Sequence, residues 1–145
     1  MTESSQTRPV TELSDDGALA LLKTQHYGRL IAAGEPGQVD LFIVNYVVDD
    51  AGIIYFRTSE GTKLGDIVLN PTVTFQADEI GEDRGWSVVV TGQAQRVDNL
   101  SEQHYAESLP LTTFLNTPKY NWVRIAPATI TGRAFLFEKN ADLDY

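Results

Sequence analysis

The 145-residue chain contains no cysteine. Without thiols there is no disulfide framework, no thiolate nucleophile and no Cys-ligated zinc or iron–sulfur cluster. Histidine is nearly as scarce. His26 and His104 are the only two, and neither sits in a metal-ligand spacing such as His-Glu-x-x-His. Each reads first as a surface or packing residue, with His26 as an axial haem ligand the one chemical alternative. Positive charge is also in short supply, with 11 Lys and Arg against 20 Asp and Glu and a net charge of −9. Nucleic acid and acidic membrane surfaces draw on Lys and Arg, so both are disfavoured as partners. No apolar run approaches the roughly 18 to 20 residues needed to cross a bilayer. Residues 1–12 have no hydrophobic signal core, and the expected location is the cytoplasm.

What is present suffices for one core: 42% of the residues are apolar and 10% aromatic. Residues 1–12 are polar and carry Pro9, which reads as a flexible arm ahead of a single domain over 13–145. Ser14 followed by Asp15 and Asp16 is a cap with first-turn carboxylates, and Leu19 and Leu22 supply an apolar stripe, predicting a helix over 14–25. From Tyr27 the texture becomes short β-rich runs over 27–33, 41–48, 53–57, 72–78 and 85–97, separated by Gly, Pro, Asn and Asp clusters. The run 41–48 is apolar on both faces except at Asn45, the pattern of a central strand covered on both sides. Leu64, Ile67 and Val68 mark a short helix over 62–69, ended by Pro71, and a second helix is expected over 101–108. Residues 122–138 read as one or two further strands.

Six or seven mostly antiparallel strands with a few short helices make a mainly β protein, and closing them into a small barrel removes exposed edges. A doubly wound nucleotide fold is disfavoured because regular strand–helix alternation, a Gly-x-Gly-x-x-Gly turn and a Walker loop are all missing.

The most informative stretch for chemistry runs from Tyr55 to Leu64: a strand ending in Arg57 and Thr58, a turn through Gly61, then a helix opening at Thr62 and Lys63. Arg57 offers a forked donor, Thr58 and Thr62 hydroxyls, Lys63 a point charge, and the helix start its unpaired N–H groups, which together make an anion cradle. The competing reading pairs Arg57 with Glu60 or Asp66 and points Lys63 into water.

In order and spacing, Arg57-Thr58, Gly61-x-Lys63-Leu64, the strand 72–78 and the run Gly85-Trp86-Ser87-Val88-Val89-Val90-Thr91-Gly92 resemble the pyridoxamine 5′-phosphate oxidase-like flavoproteins, in particular their short branch, which includes nitroimidazole-resistance proteins. The resemblance extends from about Leu13 to Phe137. It implies a split β-barrel homodimer with FMN in a cleft at the subunit interface, acting as an oxidoreductase on a small organic substrate. Arg57, Thr58 and Lys63 would hold the phosphate, and Val44, Asn45, Tyr46 and Val47 would line the ring system. Gln76, Trp86 and Ser87 would contact the ribityl chain or ring, and Arg133 would reach the partner's cofactor. The same fold also admits a deazaflavin coenzyme, or a binding module that carries flavin or haem without turnover. The C-terminal Arg-His-type substrate segment of true pyridoxamine phosphate oxidases is missing after Phe137, which argues against vitamin phosphate turnover. The flavin would supply the redox chemistry, which fits a chain with no catalytic triad, paired-carboxylate or metal arrangement.

Overall fold

A computed structural model describes residues 8–59, 61–113 and 121–138. The chain forms β1 (Val10–Leu13), α1 (Asp15–Leu22), β2 (Tyr27–Ala33), β3 (Val39–Asn45), β4 (Val47–Val48) and β5 (Ile54–Thr58). There follow α2 (Thr62–Leu69), β6 (Thr72–Ile80), β7 (Arg84–Arg96), α3 (Leu100–Glu107) and β8 (Asn121–Leu136). All pairings are antiparallel, in the order β3-β2-β6-β7-β8-β5-β4, with β1 added to β8.

The two ends of that order are consecutive in the chain. Only Tyr46 separates β3 from β4, so the sheet must curl until its outer strands meet, giving the split-barrel shape. Tyr46 fastens the junction: its N–H donates to His26 C=O at 3.1 Å, its phenol donates to Leu22 C=O, and its ring packs edge-on against Phe75 at 4.8 Å. Inside lie Leu30, Phe56, Phe75, Val88, Val90 and Ile125, all fully buried, with Leu22 of α1 closing one side. At the bulge between Thr91 and Gly92 the strands β7 and β8 approach so closely that a Cβ on Gly92 would lie 2.2 Å from the Ala126 carbonyl oxygen.

Helix starts follow their caps. Ser14 Oγ accepts from Gly17 N–H at 3.1 Å, and Asn99 Oδ1 accepts from Glu102 N–H at 2.7 Å, so α3 begins at Leu100. Two expectations are corrected, and that for the tail is met. The run 41–48 is two strands, and β3 is an edge strand with Val39, Leu41 and Ile43 more than half exposed, so among the described residues nothing covers its second face. Within the expected arm, Val10–Leu13 is paired strand, held along Gly132 to Phe135, while residues 1–7 lie outside the described residues. The tail is one strand of 16 residues, because a bulge carries it past Pro127 without breaking the ladder. Among the described residues no helix is long and apolar enough to cross a membrane.

Candidate functional site

Alternation along the strands sorts the candidate residues by face. On the outer face, Arg29 stands opposite Gln76 and Ile43, Gln76 opposite Val89, Ser87 opposite Asp78 and Arg133, and Asn45 opposite Tyr27. Arg29, Gln76, Asp78 and Ser87 form one hydrogen-bonded group. Arg29 Nη1 donates to Gln76 Oε1 at 2.9 Å, and Gln76 Nε2 donates to Asp78 Oδ2 at 2.8 Å and to Ser87 Oγ at 3.2 Å. Asn45 Nδ2 donates to His26 C=O at 3.1 Å. Three of the proposed ring contacts look inward instead: Val44 and Trp86 are core residues on the opposite face from Asn45 and Ser87, and Tyr46 is buried at the strand junction. Trp86 also lines a cavity of about 970 Å³ between the β6–β7 turn and the end of β8, together with Arg84 and Phe135. Val47 is half-buried against a second apolar cluster of Tyr55, Val97, Ala106 and Trp122 beneath α3.

Of the cationic candidates, Arg57 lies on β5, toward the other end of the strand order, whereas Lys63 lies on α2 beside β2 and β3. Arg57 stands opposite Trp122 in the β5–β8 ladder, with its guanidinium carbon 5.3 Å from the indole centroid. Among the described residues its ion-pair partner is not Asp66 but Glu107 of α3, at 3.5 Å; Glu60 lies outside the described residues. Arg57 Nε is buried with no hydrogen-bond acceptor among the described residues. Thr58 is buried, its hydroxyl donating to Ser59 C=O at 2.9 Å. Lys63 lies in the first turn of α2 with its ammonium 5.3 Å from the Phe42 ring centroid. Gly61 caps that helix at φ 146°, a backbone region that favours glycine, and has no side chain to occupy the first-turn N–H groups. Thr62 opens the helix, its side chain lying outside the described residues. Asp66, on the same helix, points instead at Asp40; the hydrogen bond between the two carboxyls and then burial hold Asp66 above its ordinary range.

Trp122 and Arg133, which mark the two groups on β8, are eleven positions apart, about 36 Å of extended strand before the sheet curls. The curl brings part of the phosphate set back toward the ring set, because Lys63 lies against the Phe42 ring, and Phe42 and Phe75 flank Leu30 on either side of β2. Sequence reasoning missed Arg29, Asp78, Glu107 and Trp122 as site residues. A charged residue at position 29, on the face that alternation in β2 assigns to Tyr27 and Ile31, is the signal that could have found the first.

The model of the family described as pyridoxamine 5′-phosphate oxidase matches residues 14–134. A crystal structure of a Corynebacterium glutamicum protein, 40% identical, superposes with a TM-score of 0.80 over 91% of this chain and 98% of its own. The FAD binding protein from Mycobacterium smegmatis, 37% identical, superposes with a TM-score of 0.75 over 88% of this chain and 100% of its own. The Mycobacterium tuberculosis protein Rv0080 is 32% identical over 134 residues, covering 86% of this chain and 85% of that protein. Matched by the family model over nearly its whole described length and carrying the curled sheet, the chain belongs to the pyridoxamine 5′-phosphate oxidase-like family.

Proposed function

We propose that the chain is a cytoplasmic flavoprotein that works as a homodimer, binds FMN between subunits, and passes electrons to or from a small organic molecule. Arg57, Thr58 and Lys63 of one subunit hold the phosphate, and Gln76, Ser87 and Arg133 of the partner subunit face the ribityl chain and ring. The observation that carries this reading is the buried Arg57 Nε left without an acceptor among the described residues, and the reading places the two-fold pairing of subunits on the outer face of β3. Val39, Leu41 and Ile43, exposed on that face, are the apolar surface that such a pairing would cover.

The donor set fits a phosphate ester. Arg57 Nε is a buried N–H in need of an acceptor, and Lys63 and the positive end of α2, which has no side-chain cap, add charge. Bound flavin supplies the hydride and electron chemistry, and the protein's part is to fix its position and shield one face. The 37% identical Mycobacterium smegmatis protein, named for FAD, supports a flavin as the ligand class.

An absorbance spectrum of freshly purified protein, followed by chromatography of the heat-released cofactor, tests the ligand. The reading expects flavin bands and FMN; FAD, a deazaflavin or a haem Soret band would each replace that assignment. Anaerobic reduction followed by addition of nitro compounds, quinones or pyridoxine phosphates tests turnover. Rapid reoxidation by one of them is expected of an oxidoreductase, and failure of all of them favours a carrier or sensor.

A further inference from the structure

Glu107 is the last residue of α3, where a carboxylate meets the negative end of the helix dipole. Two donors hold it there. Trp122 Nε1 donates to Glu107 Oε1 at 2.9 Å, and Arg57 Nη1 lies 3.5 Å from Glu107 Oε2. One oxygen faces the indole and the other the guanidinium, so the carboxylate bridges the two donors as any compact oxyanion would. The Glu107 side chain is 58% exposed, so it has open solvent beside it to turn into. The buried Arg57 Nε is a further donor of the same fork that Glu107 leaves without an acceptor.

We propose that Glu107 is an internal stand-in for the flavin phosphate, and that the Trp122 indole N–H is a phosphate ligand beside Arg57. This rests on the reading of Arg57 as the phosphate anchor. Without cofactor, Glu107 keeps a half-buried guanidinium and a buried indole N–H paired, avoiding the penalty of leaving them unmatched. With cofactor, its carboxylate and the phosphate compete for the same two donors, so Glu107 swings into solvent. The competition lowers affinity for any flavin carrying the phosphate and leaves the phosphate-free ring system untouched. Glu107 thereby sets how strongly the site prefers FMN over riboflavin.

The test titrates full-length apoprotein with FMN and with riboflavin, following tryptophan and flavin fluorescence, in the wild type and in Glu107→Gln, Trp122→Phe and Arg57→Ala. Glu107→Gln, a change at an exposed position, is expected to tighten FMN by about three- to tenfold, as loss of an exposed ion pair allows, with riboflavin unchanged. Trp122→Phe is expected to weaken FMN by about three- to tenfold, checked against its melting curve for folding. Arg57→Ala weakens FMN in either case if the anchor is right. Weaker FMN in Arg57→Ala with no gain in Glu107→Gln would overturn the stand-in while leaving the anchor in place. Unchanged FMN affinity in Arg57→Ala would overturn the anchor and this inference with it.

Discussion

Arg29 Nη1 donates to Gln76 Oε1 across 2.9 Å and lies 3.3 Å from Asp78 Oδ2, which fixes which way the Gln76 amide faces. With its carbonyl taken by Arg29 and its amino group by Asp78 and Ser87, Gln76 has no freedom to flip. Ser87 accepts from Gln76 and keeps its own O–H to donate outward. Arg29→Ala leaves the amide carbonyl without its donor and Asp78 without a cation. A loss of about 1 to 2 kcal/mol in urea unfolding is expected. Under the proposed function this group contacts the ring and not the phosphate, so FMN and riboflavin should weaken together.

The aliphatic outer face of β3 sets up a test of assembly. Ile43 is 56% exposed and its neighbours Val39 and Leu41 are more exposed still, so Ile43→Glu should leave each barrel folded while placing a charge in the proposed apolar contact. Sedimentation is expected to show monomers in place of dimers, with flavin lost at the same step. A monomer that retains flavin would break the link between pairing and cofactor.

Gly92 is the tightest point of the barrel. A methyl group there meets the Ala126 carbonyl oxygen at 2.2 Å and the Pro127 Cα at 3.0 Å, both backbone atoms, so no side chain can turn aside. Gly92→Ala is expected to cost about 2 to 4 kcal/mol in denaturant unfolding, since the β7–β8 ladder itself must shift.

Asp66 gives the pH dependence a sign. The hydrogen bond to Asp40, then burial, raises its carboxyl above the ordinary 3.8, so the folded chain holds this proton more tightly than the unfolded one. Its stabilising contribution is full below pH 3.8 and fades as pH climbs through the raised value. Asp66→Asn carries a permanent donor in place of that proton. Its melting temperature should therefore lack the fall that the wild type shows above pH 3.8, and should equal or exceed the wild type's at pH 7. Parallel curves for the two proteins through the acid range would contradict this.

Much of the architecture was legible because it rests on short-range chemistry. Ser14 and its following aspartates predicted the first helix, and Leu64, Ile67 and Val68 the second, since caps and apolar spacing act within a few residues. The strand runs were readable for the same reason. The place of a strand in the sheet was not. The run 41–48 is apolar on both faces except at Asn45, which reads as central, yet β3 is an edge whose outer face is exposed among the described residues. The candidate site was half legible. Gln76 and Ser87 share a face and a hydrogen bond, as alternation allows, and Arg57 and Thr58 end their strand ahead of Gly61, which caps α2. The partner of Arg57 was hidden because Glu107 is fifty positions away on a helix whose docking depends on Trp122 and Tyr55, a contact that no local pattern encodes.

The account turns on whether Arg57 and Lys63 grip a flavin by its phosphate. The most direct measurement compares the affinities of FMN and riboflavin for the wild type and for Arg57→Ala/Lys63→Ala. The wild type is expected to prefer FMN by about 100-fold or more, and the double variant, still folded and dimeric, to bind the two alike. Equal affinities in the wild type, or an undiminished FMN preference in the double variant, would contradict it.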